Sequence, residues 1–275
     1  MKKIGTLAII GTGLIGGSLG LAIRKKKLAG RVIGVSRRKE SLGAAVRTGA
    51  IDAGSRDLSV IRGADMVIIC LPVGEILRQA PRIVKLAGPD CLICDAGSTK
   101  TGIVSIFSRL TRRFVGCHPM AGSEKRGIEN ASVALFTGSF CILTKTRSTD
   151  PAAFAAAQDF WNTICGKTVV MAPEEHDRAM ALVSHLPHAA AFALVNSVPQ
   201  GLLKLAAGGF RDSTRLASSD EDIWSDIFLT NRRPLLAALT AFEKNLRAIR
   251  NAVNTQNARA LRTLLTAAKT KRLSL

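Results

Sequence analysis

The turn Gly11-Thr12-Gly13-Leu14-Ile15-Gly16 constrains what this chain can fold into more than any other stretch. It follows a short apolar run, residues 5–10, and opens a segment, 14–27, that ends in the basic cluster Arg24 to Lys27. An apolar run closed by glycine reads as a buried strand, and a basic last turn suits the negative end of a helix dipole. Between strand and helix, the first glycine permits a tight turn and the second lets the backbone approach a pyrophosphate. The third lets helix and strand pack closely, and the helix N-terminus faces the anion. All six residues are therefore assigned to a dinucleotide. A glycine-rich turn with no ligand is the plainer alternative.

The alternation continues. Residues 31–35, 66–71, 91–94 and 114–117 are apolar, strand-like runs separated by helical stretches, the second of them at 40–48. Residues 139–143, a helix near 152–164 and residues 167–171 complete the series. Such alternation predicts an α/β, Rossmann-like, doubly wound and mostly parallel sheet. From Pro173 the strand signal ends. Residues 174–207, 221–253 and 256–271 read as long helices rich in Ala and Leu, with Leu235, Leu239, Phe242, Leu246 and Ile249 at helical spacing. The expected organisation is a nucleotide domain at 1–172 and an all-α domain at 173–275. The helical half would bind substrate and form a homodimer.

Composition narrows the function classes. The net charge is +19, but its basic residues are scattered and aromatics make up only 4%. No stacking motif interleaves with the charge, which favours a basic surface that attracts small anions over a nucleic-acid binder. Six cysteines, mostly inside apolar runs, suit free thiols in a reducing compartment. Cys91 and Cys94 form a C-x-x-C without a second pair, and no metal site is assigned. The apolar run after Lys2 and Lys3 is too brief for a signal segment. The expectation is that no apolar segment approaches the roughly 20 residues that span a bilayer. A cytoplasmic protein with no membrane partner is the expectation.

The second strand ends in Ser36-Arg37-Arg38 instead of the acidic residue that accepts bonds from a ribose 2′-hydroxyl. Serine and two arginines offer donors and positive charge to a 2′-phosphate, so NADP is favoured and NAD stays possible. Leu71 and Pro72, at the end of a later strand, are placed on the same cofactor.

Two further segments follow predicted strands: Asp95-Ala-Gly-Ser98-Thr-Lys100 and His118-Pro-Met-Ala-Gly-Ser123-Glu124-Lys-Arg-Gly127. Both would lie at the carboxyl ends of strands, where ligands bind. A histidine is the side chain best suited to taking a proton near neutral pH. With these segments, Glu175-His-Asp177, Ser184-His185-Leu-Pro-His188, residues 209–215 and Trp224, the chain resembles the prephenate and arogenate dehydrogenases of tyrosine biosynthesis.

That resemblance implies oxidative decarboxylation of a cyclohexadienol carrying two carboxylates. His118 would accept the ring hydroxyl proton, and Ser98 would orient that hydroxyl and the histidine. Arg215, His185 and His188 would contact substrate, together with Ser184 and Arg211. Ser123 and Glu124 would rim the site and Trp224 would close it or belong to an interface core. Prephenate is preferred as substrate, with arogenate or dual specificity as the alternative. Remoter readings are a β-hydroxyacid or imine reductase, which would use a lysine, and a non-catalytic NADP-sensing or nucleic-acid-binding protein.

Overall fold

The computed structural model describes residues 4–122 and 125–274. Its centre is an eight-stranded sheet of order β3-β2-β1-β4-β5-β6-β7-β8. The strands are β1 (Ile4–Ile10), β2 (Ala29–Val35), β3 (Ala53–Ser55), β4 (Met66–Ile69), β5 (Leu92–Asp95), β6 (Phe114–Pro119), β7 (Cys141–Thr144) and β8 (Thr168–Met171). Intervening helices are α1 (Leu14–Lys25), α2 (Lys39–Arg47), α3 (Val73–Ala87), α4 (Thr101–Phe107) and α5 (Pro151–Cys165).

Strand alternation divides the core into two layers. Leu7 and Ile9 pack with Leu19 and Ile23 of α1 and with Phe160 and Trp161 of α5. Ala8 and Ile10 point the other way, toward Ile76 and Ile83 of α3 and Phe107 of α4. A sheet buried on both faces needs apolar residues pointing both ways, and Leu7 to Ile10 of β1, all of β4 and Leu92 to Cys94 of β5 supply them. The chain leaves β1 toward β2 on one side and reaches β4 on the other, so the crevice at their carboxyl ends is a topological switch point.

Two features depart from the expected series. β7 runs antiparallel to β6, with His118 opposite Ile142. Among its described residues, the β6–β7 connection holds short 3-10 turns, Ile128–Asn130 and Val133–Phe136, and no crossover helix. β3 is three residues long and contains Gly54, too short for a periodic signal.

Beyond β8 the helices are α6 (Pro173–Met180), a π-helical turn (Ala181–His185), α7 (Leu186–Asn196), α8 (Gly208–Thr214) and α9 (Glu221–Thr230). The expected helix 174–207 therefore stops at Asn196, and residues 200–205 form a 3-10 turn. The segment Pro173–Asn196 is continuous over 24 residues and apolar enough by length and composition to cross a membrane, which corrects the expectation that no segment approaches this. Its polar groups are engaged within the fold: the Asp177 carboxylate accepts the backbone N–H groups of Lys100 at 2.7 Å and Thr101 at 2.9 Å.

The chain divides into two compact units, 1–231 and 232–275. Within the first unit, across the expected domain boundary after residue 172, Asp177 of α6 accepts from Lys100 and Thr101 and Asp226 of α9 accepts from Gly74. The second unit is a helical hairpin, α10 (Arg232–Asn254) and α11 (Ala258–Leu273), turned by Gln256 at φ +49°. The expected helix 221–253 is interrupted at Asn231, a buried residue whose backbone ends α9. Leu236, Leu246, Val253 and Leu265 of the hairpin are exposed.

Candidate active site

The glycine turn has the shape its sequence promised. Gly11 has φ +97°, and a Cβ there would collide with the Cys70 carbonyl at the end of β4. A Cβ on Gly16 would collide with the Gly11 carbonyl, which explains the close strand–helix approach. Gly13 faces open space, and no side chain caps the start of α1. Thr12 is buried, and among the described residues its hydroxyl has no partner. Uncapped N–H groups, an orphaned hydroxyl and a backbone free of Cβ atoms fit the pyrophosphate of a dinucleotide.

Leu71 and Pro72 sit between β4 and α3, with the Leu71 side chain against Gly11. Ser36, Arg37 and Arg38 follow β2, both arginines exposed. The charge of Arg37 is felt at Glu75, in the first turn of α3.

All four histidines of the chain gather at the carboxyl edge of the sheet. His118, half-buried near the end of β6, bonds through Nδ1 to His176 Nε2 at 2.8 Å. His176 is fully buried on α6 and bonds through Nδ1 to the Asp177 carboxylate at 2.9 Å. His185 Nδ1 faces the Asn231 amide nitrogen at 2.9 Å, and that nitrogen also donates to the Asp177 carbonyl. His188 bonds through Nδ1 to the Ser184 carbonyl at 2.9 Å and stacks on Trp224, with ring centroids 3.4 Å apart.

Partners fix the tautomers. The amide donates to His185 Nδ1, so His185 carries its proton on Nε2 and is a donor to a ligand. His188 donates Nδ1–H to a carbonyl, so its Nε2 is an acceptor.

Pro187 lies in the interior of a continuous helix, Pro173–Asn196. Proline supplies no N–H and its ring crowds the carbonyl four residues back, and the wide π turn ending at His185 accommodates both. The same turn directs His185 into the core, where it is 1% exposed.

Burial sets the charge states. It pushes His118 well below its ordinary pKa, with the neighbouring His176, Lys100 and His185 adding to the effect. Burial lowers His185 to about 4. His176 and His188 are lowered for the same reason, although the Asp177 bond and the Ser184 carbonyl respectively work against it. The Asp177 carboxyl would be raised by burial, but bonds from His176 and from Thr101 hold it below the usual range. At neutral pH four imidazoles are uncharged beside an ionised carboxylate. Lys100 is fully buried, paired with Asp95, whose carboxylate also accepts the N–H groups of Gly97 and Cys117.

These depressed values make stability depend on pH. An unfolded chain would protonate His185 near 6.5, whereas the folded one waits until about 4. Between those values the unfolded state binds more protons, so stability falls as pH falls. Melting temperature is expected to drop steadily from pH 6.5 to 4, and a flat profile would contradict the buried neutral state.

The remaining predicted residues are less closely joined. Ser98 is half-buried in the turn after β5, one strand from His118. Among the described residues its hydroxyl makes no hydrogen bond. Arg215 is exposed, and its charge is felt at His188. Arg211 is exposed on α8, and Ser184 contributes its carbonyl to His188. Ser123 and Glu124 lie outside the described residues. Just past them, Arg126 pairs with Asp220 and Glu221 at the start of α9, the helix that carries Trp224. Asp226 on the same helix accepts the Gly74 N–H at 3.1 Å, at the start of α3.

Sequence reasoning gave no role to His176, Asp177, Lys100 or Asn231. The signal for the first two was the motif Glu175-His-Asp177, which is part of the resemblance but carries no role by itself.

A phosphate-binding turn of dinucleotide type beside neutral imidazoles at one sheet edge defines the class of a nucleotide-dependent dehydrogenase. Residues 19–170 match the family model described as prephenate dehydrogenase, nucleotide-binding domain, and residues 172–267 match its dimerization domain. A prephenate dehydrogenase of Bacillus subtilis (strain 168) is 36% identical over 93% of this chain and 72% of its own length. A cyclohexadienyl dehydrogenase of Zymomonas mobilis is 34% identical over 91% and 89% respectively. The crystal structure of prephenate dehydrogenase from A. aeolicus, in complex with hydroxyphenyl propionate and NAD+, superposes with a TM-score of 0.93. It is 34% identical and covers 98% of both chains. The chain belongs to the prephenate dehydrogenase family and is an oxidoreductase.

Proposed function

We propose that this protein is an NADP-preferring prephenate dehydrogenase, which converts prephenate to 4-hydroxyphenylpyruvate and carbon dioxide. The observation that carries the reading is the position of His118, an uncharged imidazole whose Nδ1 is occupied by His176 and whose Nε2 is left for a ligand. Bound at the glycine turn, the nicotinamide supplies the acceptor for the hydride that leaves the ring carbon bearing the hydroxyl. His118 Nε2 takes the hydroxyl proton as that carbon becomes a carbonyl. The bond from the ring to its carboxylate then breaks, carbon dioxide leaves, and the electron pair enters the ring to make it aromatic. His118 returns the proton to the phenolate oxygen, so no proton is released overall.

Substrate is held by Arg215, whose planar fork suits a carboxylate, by the His185 Nε2–H donor and by His188. Ser98 faces the same edge with an unoccupied hydroxyl and would bond the ring hydroxyl. The stack of Trp224 on His188 supports a role for Trp224 as a wall of the site. The exposed apolar residues of α10 and α11, with the dimerization-domain match, support a homodimer.

Arg37 and Arg38 support NADP, whereas the A. aeolicus structure was captured with NAD+. Replacing both arginines by alanine should erode the ratio of kcat/KM for NADP over NAD by roughly tenfold or more, as expected when charge-assisted bonds to a phosphate are lost. An unchanged ratio would mean that the turn does not read the 2′-phosphate. Arogenate is the second substrate reading, consistent with the cyclohexadienyl dehydrogenase relative. The deciding assay follows nucleotide reduction with prephenate and with arogenate, each with NADP and NAD. Prephenate with NADP should be fastest, and no reduction in any combination would refute the proposal.

A further inference from the structure

We infer that His176 and Asp177 are positioning residues that hold His118 in its Nδ1–H tautomer and stabilise the positive charge that His118 gains in the reaction. The charge-stabilising part rests on the proposed dehydrogenase chemistry; the tautomer part stands on geometry alone.

The chain of bonds has one consistent proton assignment. Asp177 is an acceptor only, and its Oδ1 takes the Lys100 N–H at 2.7 Å while Oδ2 takes the Thr101 N–H at 2.9 Å. With both oxygens so engaged, the carboxylate is ionised and His176 Nδ1 must be the donor to it. Neutral His176 then has a bare Nε2, which can only accept. Its partner at 2.8 Å, His118 Nδ1, must therefore carry the proton. A neutral imidazole protonated on Nδ1 presents a lone pair on Nε2. That is the state a general base requires before substrate arrives.

The same bonds act during the reaction. When His118 Nε2 takes the hydroxyl proton, the ring becomes an imidazolium and its Nδ1–H bond to His176 becomes charge-assisted. His176, polarised by Asp177, is a stronger acceptor than an isolated imidazole. The groups facing this pair are mixed in sign. Lys100 and His185 oppose a charge on His118, Lys100 also opposes one on His176, and Asp177 and Asp95 favour one there. Asp95 is already paired with Lys100, which leaves Asp177 as the carboxylate committed to the histidines. The proton must return to the phenolate, so a base that holds it strongly would be a poor one. A weakly basic pair braced by one carboxylate meets that requirement.

Nitrogen-15 correlation spectra of the wild-type protein without substrate read the tautomers directly. With four histidines in the chain, His118→Asn and His176→Gln identify the resonances by loss. His118 is expected protonated on Nδ1 and bare on Nε2. A proton on Nε2 would overturn the assignment whether or not the protein turns over, so this failure is separable from failure of the dehydrogenase reading. In turnover, His176→Leu should lower kcat by roughly 10²–10⁴-fold with KM nearly unchanged. His176→Gln should recover at least tenfold of that loss, because its amide oxygen can accept the Nδ1–H bond. Asp177→Asn should lower the plateau and move the acid limb of kcat to lower pH, because the carboxylate raises the basicity of His176. Near-normal kcat in His176→Leu, equal loss in the leucine and glutamine variants, or an unmoved acid limb in Asp177→Asn would each contradict the role.

Discussion

His118→Asn is expected to lower kcat with prephenate by roughly 10²–10⁴-fold while leaving KM close to that of the unaltered protein. The asymmetry follows from where the two ring nitrogens point. Asparagine's amide can still donate to His176, as Nδ1–H does in the wild type, so the pocket wall changes little. What disappears is the basic Nε2, and with it a proton acceptor needed only once the ring carbon begins to lose hydride. An interaction made only in the transition state lowers turnover without weakening ground-state binding. Steady-state kinetics with prephenate separate the two effects. A variant that turns over normally would remove His118 from the chemistry, and a rise in KM alone would make it a binding residue.

Arg215→Ala should have the opposite signature. A dianionic substrate leaves water only where its carboxylates meet fixed charge, and Arg215 stands close enough to His188 for its charge to be felt there. Truncating one partner of a hydrogen-bonded charge pair costs about 2–5 kcal/mol, or a KM raised by a factor of roughly 30 or more. Lysine should restore only part of the affinity, because it lacks the planar fork. An unchanged KM would place the substrate's distal carboxylate elsewhere.

The nucleotide half was legible because its signals are local. Six consecutive residues define the turn around Gly11, and every strand of the sheet except the three-residue β3 announces itself as an apolar run within a few residues of its observed bounds. The direction of β7 was not legible, since it depends on what fills the β6–β7 connection. Around the site, His118, His185 and His188 could be picked out by type and by resemblance, yet the bonds that set their protonation could not. Asp177 finds its partners 77 and 76 positions back, at the start of α4, and His118 meets His176 across 58 residues. Asn231 reaches His185 over 46. Such pairings belong to the tertiary fold, and no spacing in the sequence encodes them. The π turn is similar: residues 174–207 read as one helix, and no spacing marks the widened turn Ala181–His185 that precedes Pro187.

The most direct measurement is the amount of carbon dioxide released against the amount of nucleotide reduced when the protein turns over prephenate with NADP. Equal amounts, both falling together in His118→Asn, are expected if proton removal, hydride loss and decarboxylation are parts of one event at His118. Nucleotide reduction without carbon dioxide, carbon dioxide without reduction, or neither with this substrate would contradict it.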